Sequence, residues 1–277
     1  MNALASATRS IEGIVTFAVD TGVKPVTYPE RQTDTGSVVV GQYEDRPIKI
    51  HDARAIRNQL SLDAQGFTLI DEPTAMRDYF DDAEVRATCY AEVDATVKRY
   101  TGVKKVVIFD HTIRVEHLEK RKLLKARAPV LSVHNDYTDW SAPKRVQDLL
   151  PEAEAAERLA RRFIFINVWR PIRGPIQTAP LVLCDARTMT SRDLIAADHI
   201  YDSGRRGETY RVAHSPTQHW YYFSDMRPGE AVLIKCFDSA ADGRAKFSGH
   251  GAARLTSPAP AGAVPRESIE IRTIGFY

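Results

Sequence analysis

The stretch HWYYFSDMRPGEAVLIKCF, residues 219–237, decides the architecture. Two apolar, β-rich runs, Trp220–Phe223 and Ala231–Phe237, flank a polar turn that contains Pro228 and Gly229. Each run is too short for a stable helix and carries the aromatic and β-branched residues that suit strands. The pattern repeats on either side. Val130–Val133, Phe163–Trp169, Leu181–Cys184 and Ile269–Tyr277 are further strand-like runs separated by turn signals. Such a series predicts a sandwich or barrel. Between them, residues 151–162 read as a helix. Pro151 suits its first position, Glu152 and Glu154 its first turn, and Arg158, Arg161 and Arg162 its end.

The first half is more mixed. Ser37–Val40, residues 66–70 and 103–109 read as strands, and residues 53–60 as a helix capped by Asp52. Residues 73–98 show helical spacing through Met76, Phe80, Val85 and Tyr90. The expected fold is mainly β with flanking helices: a double-stranded β-helix, or jelly roll, over residues 126–277. An α/β supporting region, 1–125, completes a single domain of 1–277.

The bulk properties narrow the function. Of 277 residues, 43% are hydrophobic and 27% charged, as in ordinary globular proteins. The net charge is +2, which gives no reason to expect nucleic acid or an anionic membrane. The basic cluster Lys120-Arg121-Lys122 reads as a solvated face. No apolar run approaches the roughly 18 residues of a membrane span. The N-terminal MNALASATRSIEGIVTF lacks a basic start followed by an apolar core, so no signal peptide is expected. Three scattered cysteines suggest neither disulfides nor a zinc ribbon, and fit a cytoplasmic setting. Cys184 and Cys236 read as core residues.

Chemistry enters with Val133-His134-Asn135-Asp136-Tyr137-Thr138, at the end of a β-run. On an extended chain, residues i and i+2 project to one face. His134 and Asp136 then present an imidazole and a carboxylate together, two thirds of the facial triad of non-haem Fe(II) oxygenases. The third ligand must come from a later histidine: His199, His214, His219 or His250. Position favours His250, with His219 as its rival. Downstream, Arg266 and Ser268 again share a strand face. A guanidinium beside a hydroxyl suits the far carboxylate of 2-oxoglutarate.

The segments VHNDYT (133–138), INVWRPIRGPI (166–176), PLVLCDART (180–188), HWYYFSDMRPGEAVLIKCFDS (219–239) and PRESIEIR (265–272) resemble a known family. It is that of hydroxylase/desaturase AsaB and cephalosporin 7-alpha-methoxylase subunit CmcJ. The resemblance implies a jelly-roll oxygenase with Fe(II) as cofactor and 2-oxoglutarate and dioxygen as cosubstrates. It implies oxidative tailoring of a small molecule in secondary metabolism, by hydroxylation, desaturation or cyclisation. The chain departs from the family at Gly251-Ala252-Ala253, where relatives continue to an aromatic; a wider pocket is the expected consequence.

Tyr137, Trp169, Arg170 and His219 are candidate substrate contacts. On a strand Trp169 shares a face with Asn167, and Arg170 takes the other, so both faces cannot line one site. Arg170 is otherwise a structural ion-pair partner. Lys235 is read as outward-facing, with carboxylate binding inside the barrel as the alternative, and Asp185 with Arg187 as a structural pair. Two other classes use the same fold: a metal-dependent hydrolase or isomerase on the same ligands, and a metal-free binding protein. Neither needs an anchor such as Arg266 with Ser268.

Overall fold

Along the strand Phe163–Pro171 successive side chains enter two different cores. Phe163, Phe165 and Trp169 join one apolar cluster, while Ile164, Ile166 and Val168 join another. This two-residue alternation, with both faces buried, makes the strand the centre of a layered β structure. The computed structural model describes residues 9–34 and 36–277. Residues 1–8 of the N-terminal reading lie outside the described residues.

Two sheets face each other. Among the described residues one has five strands, in the order Phe67–Asp71, Glu230–Asp238, Phe163–Pro171, Glu267–Phe276, Lys105–Val115, all antiparallel. The other has eleven. Its middle runs Trp220–Tyr222, Leu181–Cys184, His250–Ala252, His134–Asn135, Arg206–Val212. Phe165 and Trp169 of the small sheet and Leu183 and Tyr221 of the large sheet share the core between them. The outer face of the small sheet, Ile164, Leu233 and Ile271, is covered by Val85, Val93 and Val97 of a helical segment. This is the expected jelly roll. Segments of the first 125 residues are woven into both sheets: Ser10–Ala18 and Tyr43–Asp52 extend the large one, and Lys105–Val115 edges the small one.

Several boundaries differ from the sequence expectation. The helical segment begins only at Asp82, and runs through a π turn to Thr101. Asp81 caps it by accepting from the Ala83 and Glu84 amides, and Gly102, with φ of 76°, ends it. Residues 73–80 stay non-helical because Thr74 and Asp78 bond the amides of Met76 and Phe80, which competes with helix formation. Residues 130–133 form no ladder, only an isolated bridge between Ser132 and Thr16; the ladder begins at His134. Residues 53–59 form a 3₁₀ helix, with Asp52 capping as expected. The 151–162 helix is shorter, Glu152–Leu159, with Pro151 as its N-cap. The basic cluster lies on the helix Leu118–Leu123 but is engaged: Lys120 pairs with Glu267 at 2.7 Å and Lys122 with Asp34 at 3.2 Å.

Lys235 faces outward, as expected, but into a buried ion-pair cluster and not into water. It is only 1% exposed, and its ammonium pairs with Asp63 at 2.7 Å and Asp238 at 2.8 Å, away from the space between the sheets. Asp185 and Arg187 do pair, at 2.6 Å.

The outer layer should carry stability and not chemistry. Truncating the fully buried Leu233 to alanine should cost about 2–5 kcal/mol in denaturant unfolding. The folded variant should keep the wild-type circular dichroism spectrum.

Candidate active site

His134 sits on a strand of two residues, His134–Asn135, wedged between two others. His250 pairs with it directly from one side and Arg211 from the other. Asn135, wholly buried, fixes the chain by donating to the carbonyls of Tyr137 at 2.6 Å and Cys236 at 3.0 Å. Asp136, two residues on, returns to the face of His134.

The result is a tight cluster. One ligand-type atom from each of His134, Asp136 and His250 lies within 4.8 Å of the others. The two imidazole centroids are 4.8 Å apart, and His134 Nε2 is 3.5 Å from Asp136 Oδ1. Both rings are set the same way. His134 Nδ1 lies 2.9 Å from the Ser132 carbonyl, and His250 Nδ1 lies 3.1 Å from that of Ser248. A carbonyl only accepts, so each Nδ1 carries the proton and each Nε2 offers a lone pair to the cluster. His250 is 2% exposed, and its Nε2 is buried without a hydrogen-bond partner. An orphaned acceptor there is what a metal ion would satisfy. Two imidazole nitrogens and one carboxylate are also the donor set that suits Fe(II) and leaves coordination positions open.

Asp136 is braced from the opposite sheet. Asn167 Nδ2 donates to Asp136 Oδ2 at 2.7 Å, and Arg272 Nε donates to the same oxygen at 3.2 Å. Oδ1 is left toward the histidines. Burial pushes the Asp136 carboxyl upward, but the Arg272 charge and the His134 contact hold it well below the usual range. Burial lowers His134, which favours the neutral, ligating imidazole.

Ser268 stands on the strand that carries Arg272, and Arg266 immediately precedes that strand. The Arg266 Nε donates to Ser268 Oγ at 3.2 Å and its Nη1 to the Ala179 carbonyl at 2.7 Å, and the guanidinium lies 4.9 Å over the Trp169 ring. Arg266 is 3% exposed, and no carboxylate pairs with its guanidinium among the described residues. Burial, reinforced by the neighbouring Arg114 charge, pushes its pKa down to about 9. A bound anion would reverse that penalty.

A cavity of about 750 Å³ opens beside His134 and Asp136, and Tyr137 lines it with its ring tilted against Phe165, centroids 4.1 Å apart. Two substrate candidates fall elsewhere. Arg170 turns to the outer face, where it donates to the Glu72 carbonyl at 2.6 Å and pairs with Glu92 at 3.6 Å. His219 is exposed, its amide held by Thr188, and it is not part of the cluster. Strand alternation placed Arg170 outward, as the pairing of Asn167 with Trp169 required. His199 proves half-buried on the cavity wall. Ala253 packs with Val15 and Phe17 in a separate apolar cluster and does not line this cavity. Sequence reading missed Arg272, although it lies an even number of residues from Arg266 and so on the same strand face. It missed Arg211 as well, whose place depends on a distant strand pairing.

A jelly roll in which two histidines and one carboxylate converge beside a cavity has the donor set that could hold one metal ion, as in mononuclear non-haem oxygenases. A family model described as oxidoreductase/YMDC permease-like domain matches residues 15–276. Hydroxylase/desaturase efuI of Hormonema carpetanum is 33% identical over 258 residues, covering 85% of each chain. The Fe(II)/2-oxoglutarate-dependent dioxygenase nvfI of Aspergillus novofumigatus is 33% identical over 235 residues, covering 83% of this chain and 82% of that one. Among solved structures, the iron and alpha-ketoglutarate-dependent endoperoxidase NvfI superposes with a TM-score of 0.84 at 28% identity, over 96% of this chain and 98% of that one. The chain belongs to this hydroxylase/desaturase family of Fe(II)/2-oxoglutarate-dependent dioxygenases. Membership sets aside the hydrolase, isomerase and metal-free alternatives.

The brace on Asp136 makes a prediction of its own. Asn167→Ala should weaken Fe(II) binding by about tenfold to a hundredfold, the usual range for an outer partner of a ligand. Anaerobic competition against a chelator measures it, and unchanged affinity would remove Asn167 from the site.

Proposed function

We propose that His134, Asp136 and His250 hold Fe(II) and that Arg266 with Ser268 holds the far carboxylate of 2-oxoglutarate, in an enzyme that oxidatively tailors a small molecule. The observation that carries the metal assignment is the unpartnered, buried His250 Nε2 facing His134 and Asp136. Secondary metabolism as the setting is supported by the relatives, one of which is named aspirochlorine biosynthesis protein N. When bound, Fe(II) with 2-oxoglutarate and dioxygen supplies the oxidising power that breaks a substrate C–H bond, leaving succinate and carbon dioxide.

The chain's residues do the positioning. The Ser132 and Ser248 carbonyls keep the two imidazoles in one tautomer and orientation. Asn167 and Arg272 occupy Asp136 Oδ2, which favours ligation through Oδ1 alone and keeps positions free for the cosubstrates. Arg266, buried and without a carboxylate partner among the described residues, offers paired N–H donors to an anion, and its guanidinium lies over the Trp169 ring. Tyr137 lines one wall of the cavity beside His134 and Asp136. The reading of 1–277 as one oxygenase unit is supported by Ser10–Ala18, Tyr43–Asp52 and Lys105–Val115, which complete the same two sheets.

A cytoplasmic setting is supported by three free, buried cysteines. Among the described residues no helix is long and apolar enough to cross a membrane. The net charge of +2 supports no nucleic-acid partner.

Succinate release from 2-oxoglutarate is the direct assay. His134→Ala should abolish it at every Fe(II) concentration. Arg266→Ala should raise the 2-oxoglutarate KM by about tenfold or more, with restored rates at saturation. Full turnover by His134→Ala would refute the ligand set, and an unmoved KM would refute the anchor.

A further inference from the structure

Arg211 stands next in the row after the two histidines. His250 is in register with His134 on one side, and Arg211 is in register with His134 on the other. Directly opposed residues of antiparallel strands project to one face, about 5 Å apart. The guanidinium is thus delivered to the cavity beside His134, on the side away from His250.

Its hydrogen bonding is incomplete. Nη1 donates to Ser132 Oγ at 3.3 Å and Nη2 to Thr27 Oγ1 at 2.6 Å. Nε is buried without a partner, and no carboxylate pairs with the guanidinium among the described residues. Arg211 is 4% exposed, so an uncompensated charge is held out of water. A second orphan faces the same cavity: the Tyr43 hydroxyl is buried without a partner. Burial raises its pKa and the Arg211 charge draws it back, which makes the two groups electrostatic neighbours.

The wall as a whole has the same bias. It carries nine lysine and arginine side chains against four carboxylates, in a chain whose net charge is only +2. Each of the four acids is already paired: Asp110 and Asp136 with Arg272, Asp148 with Lys144, Glu208 with Lys24. The free capacity in the cavity is therefore for an anion.

We propose that Arg211 and the Tyr43 hydroxyl bind a carboxylate of the substrate, so that the molecule oxidised is a small carboxylic acid oriented by that group beside His134. This rests on the oxygenase reading and adds the substrate class to it. A guanidinium with three uncommitted N–H groups matches a carboxylate, and the methyl ester of the same acid loses both the charge and the fork.

The test uses intact protein loaded anaerobically with Fe(II) and 2-oxoglutarate. It is mixed with a set of aryl- and alkylcarboxylic acids, each beside its own methyl ester, and retained compounds are quantified by ultrafiltration and mass spectrometry. Wild type should retain acids over esters. Arg211→Met should weaken acid binding by about tenfold to a hundredfold and leave esters unchanged. Arg211→Lys should keep part of the preference, and Tyr43→Phe should lose a smaller share. Equal retention of acids and esters by wild type, or a preference unaltered in Arg211→Met, would overturn the assignment. Calorimetric binding of 2-oxoglutarate to the same Fe(II)-loaded proteins separates the two claims. No binding by wild type sinks the oxygenase reading and the substrate class with it. Binding by wild type that Arg211→Met weakens gives Arg211 to the cosubstrate, and the substrate claim fails alone.

Discussion

A single carboxylate oxygen ties the two sheets together at the site. Asp136 follows a strand of the large sheet, while its Oδ2 accepts from Asn167 and Arg272, both on the small sheet. If the sheets moved apart, Asp136 would lose the geometry that sets it against His134 and His250. The apolar core between the sheets, with Phe165 and Trp169 on one side and Leu183 and Tyr221 on the other, fixes their separation. Packing and ligand geometry are thus one constraint, as a site on rigid elements requires.

The interior holds several arginines at this junction, and they differ in what neutralises them. Arg272 is surrounded by Asp110, Asp136 and Glu270 and is structural. Arg266 and Arg211 have hydroxyls and carbonyls as partners but, among the described residues, no carboxylate. Burying such a charge is costly unless an anion completes it. One anion-seeking group at each of two places fits a reaction that takes a dicarboxylate cosubstrate and a second acidic molecule.

Much of this was legible where local periodicity decides the outcome. His134 with Asp136 and Arg266 with Ser268 follow from the two-residue repeat of a strand, as does the outward turn of Arg170. Phe163–Pro171 and Glu230–Asp238 announced themselves by their apolar runs. What depended on long-range register was not legible. Nothing near Arg211 says that it will lie beside His134, and nothing near Lys235 says that Asp63 will reach it from far upstream. The late start of the helical segment at Asp82 turned on side-chain caps that outcompeted a correct apolar spacing. The clearest such case is Arg272: the even spacing from Arg266 was present in the sequence, but its role exists only once Asp136 is brought across from the other sheet.

The central claim is that one Fe(II) held by His134, Asp136 and His250 accepts 2-oxoglutarate as a chelating ligand. The most direct measurement is an anaerobic titration of Fe(II) into apoprotein with 2-oxoglutarate, followed by visible absorption. The account predicts a weak metal-to-ligand charge-transfer band that saturates at one iron per chain and is missing in His250→Ala. A well-folded protein that gives no band, or a His250→Ala variant that gives the full one, would contradict it.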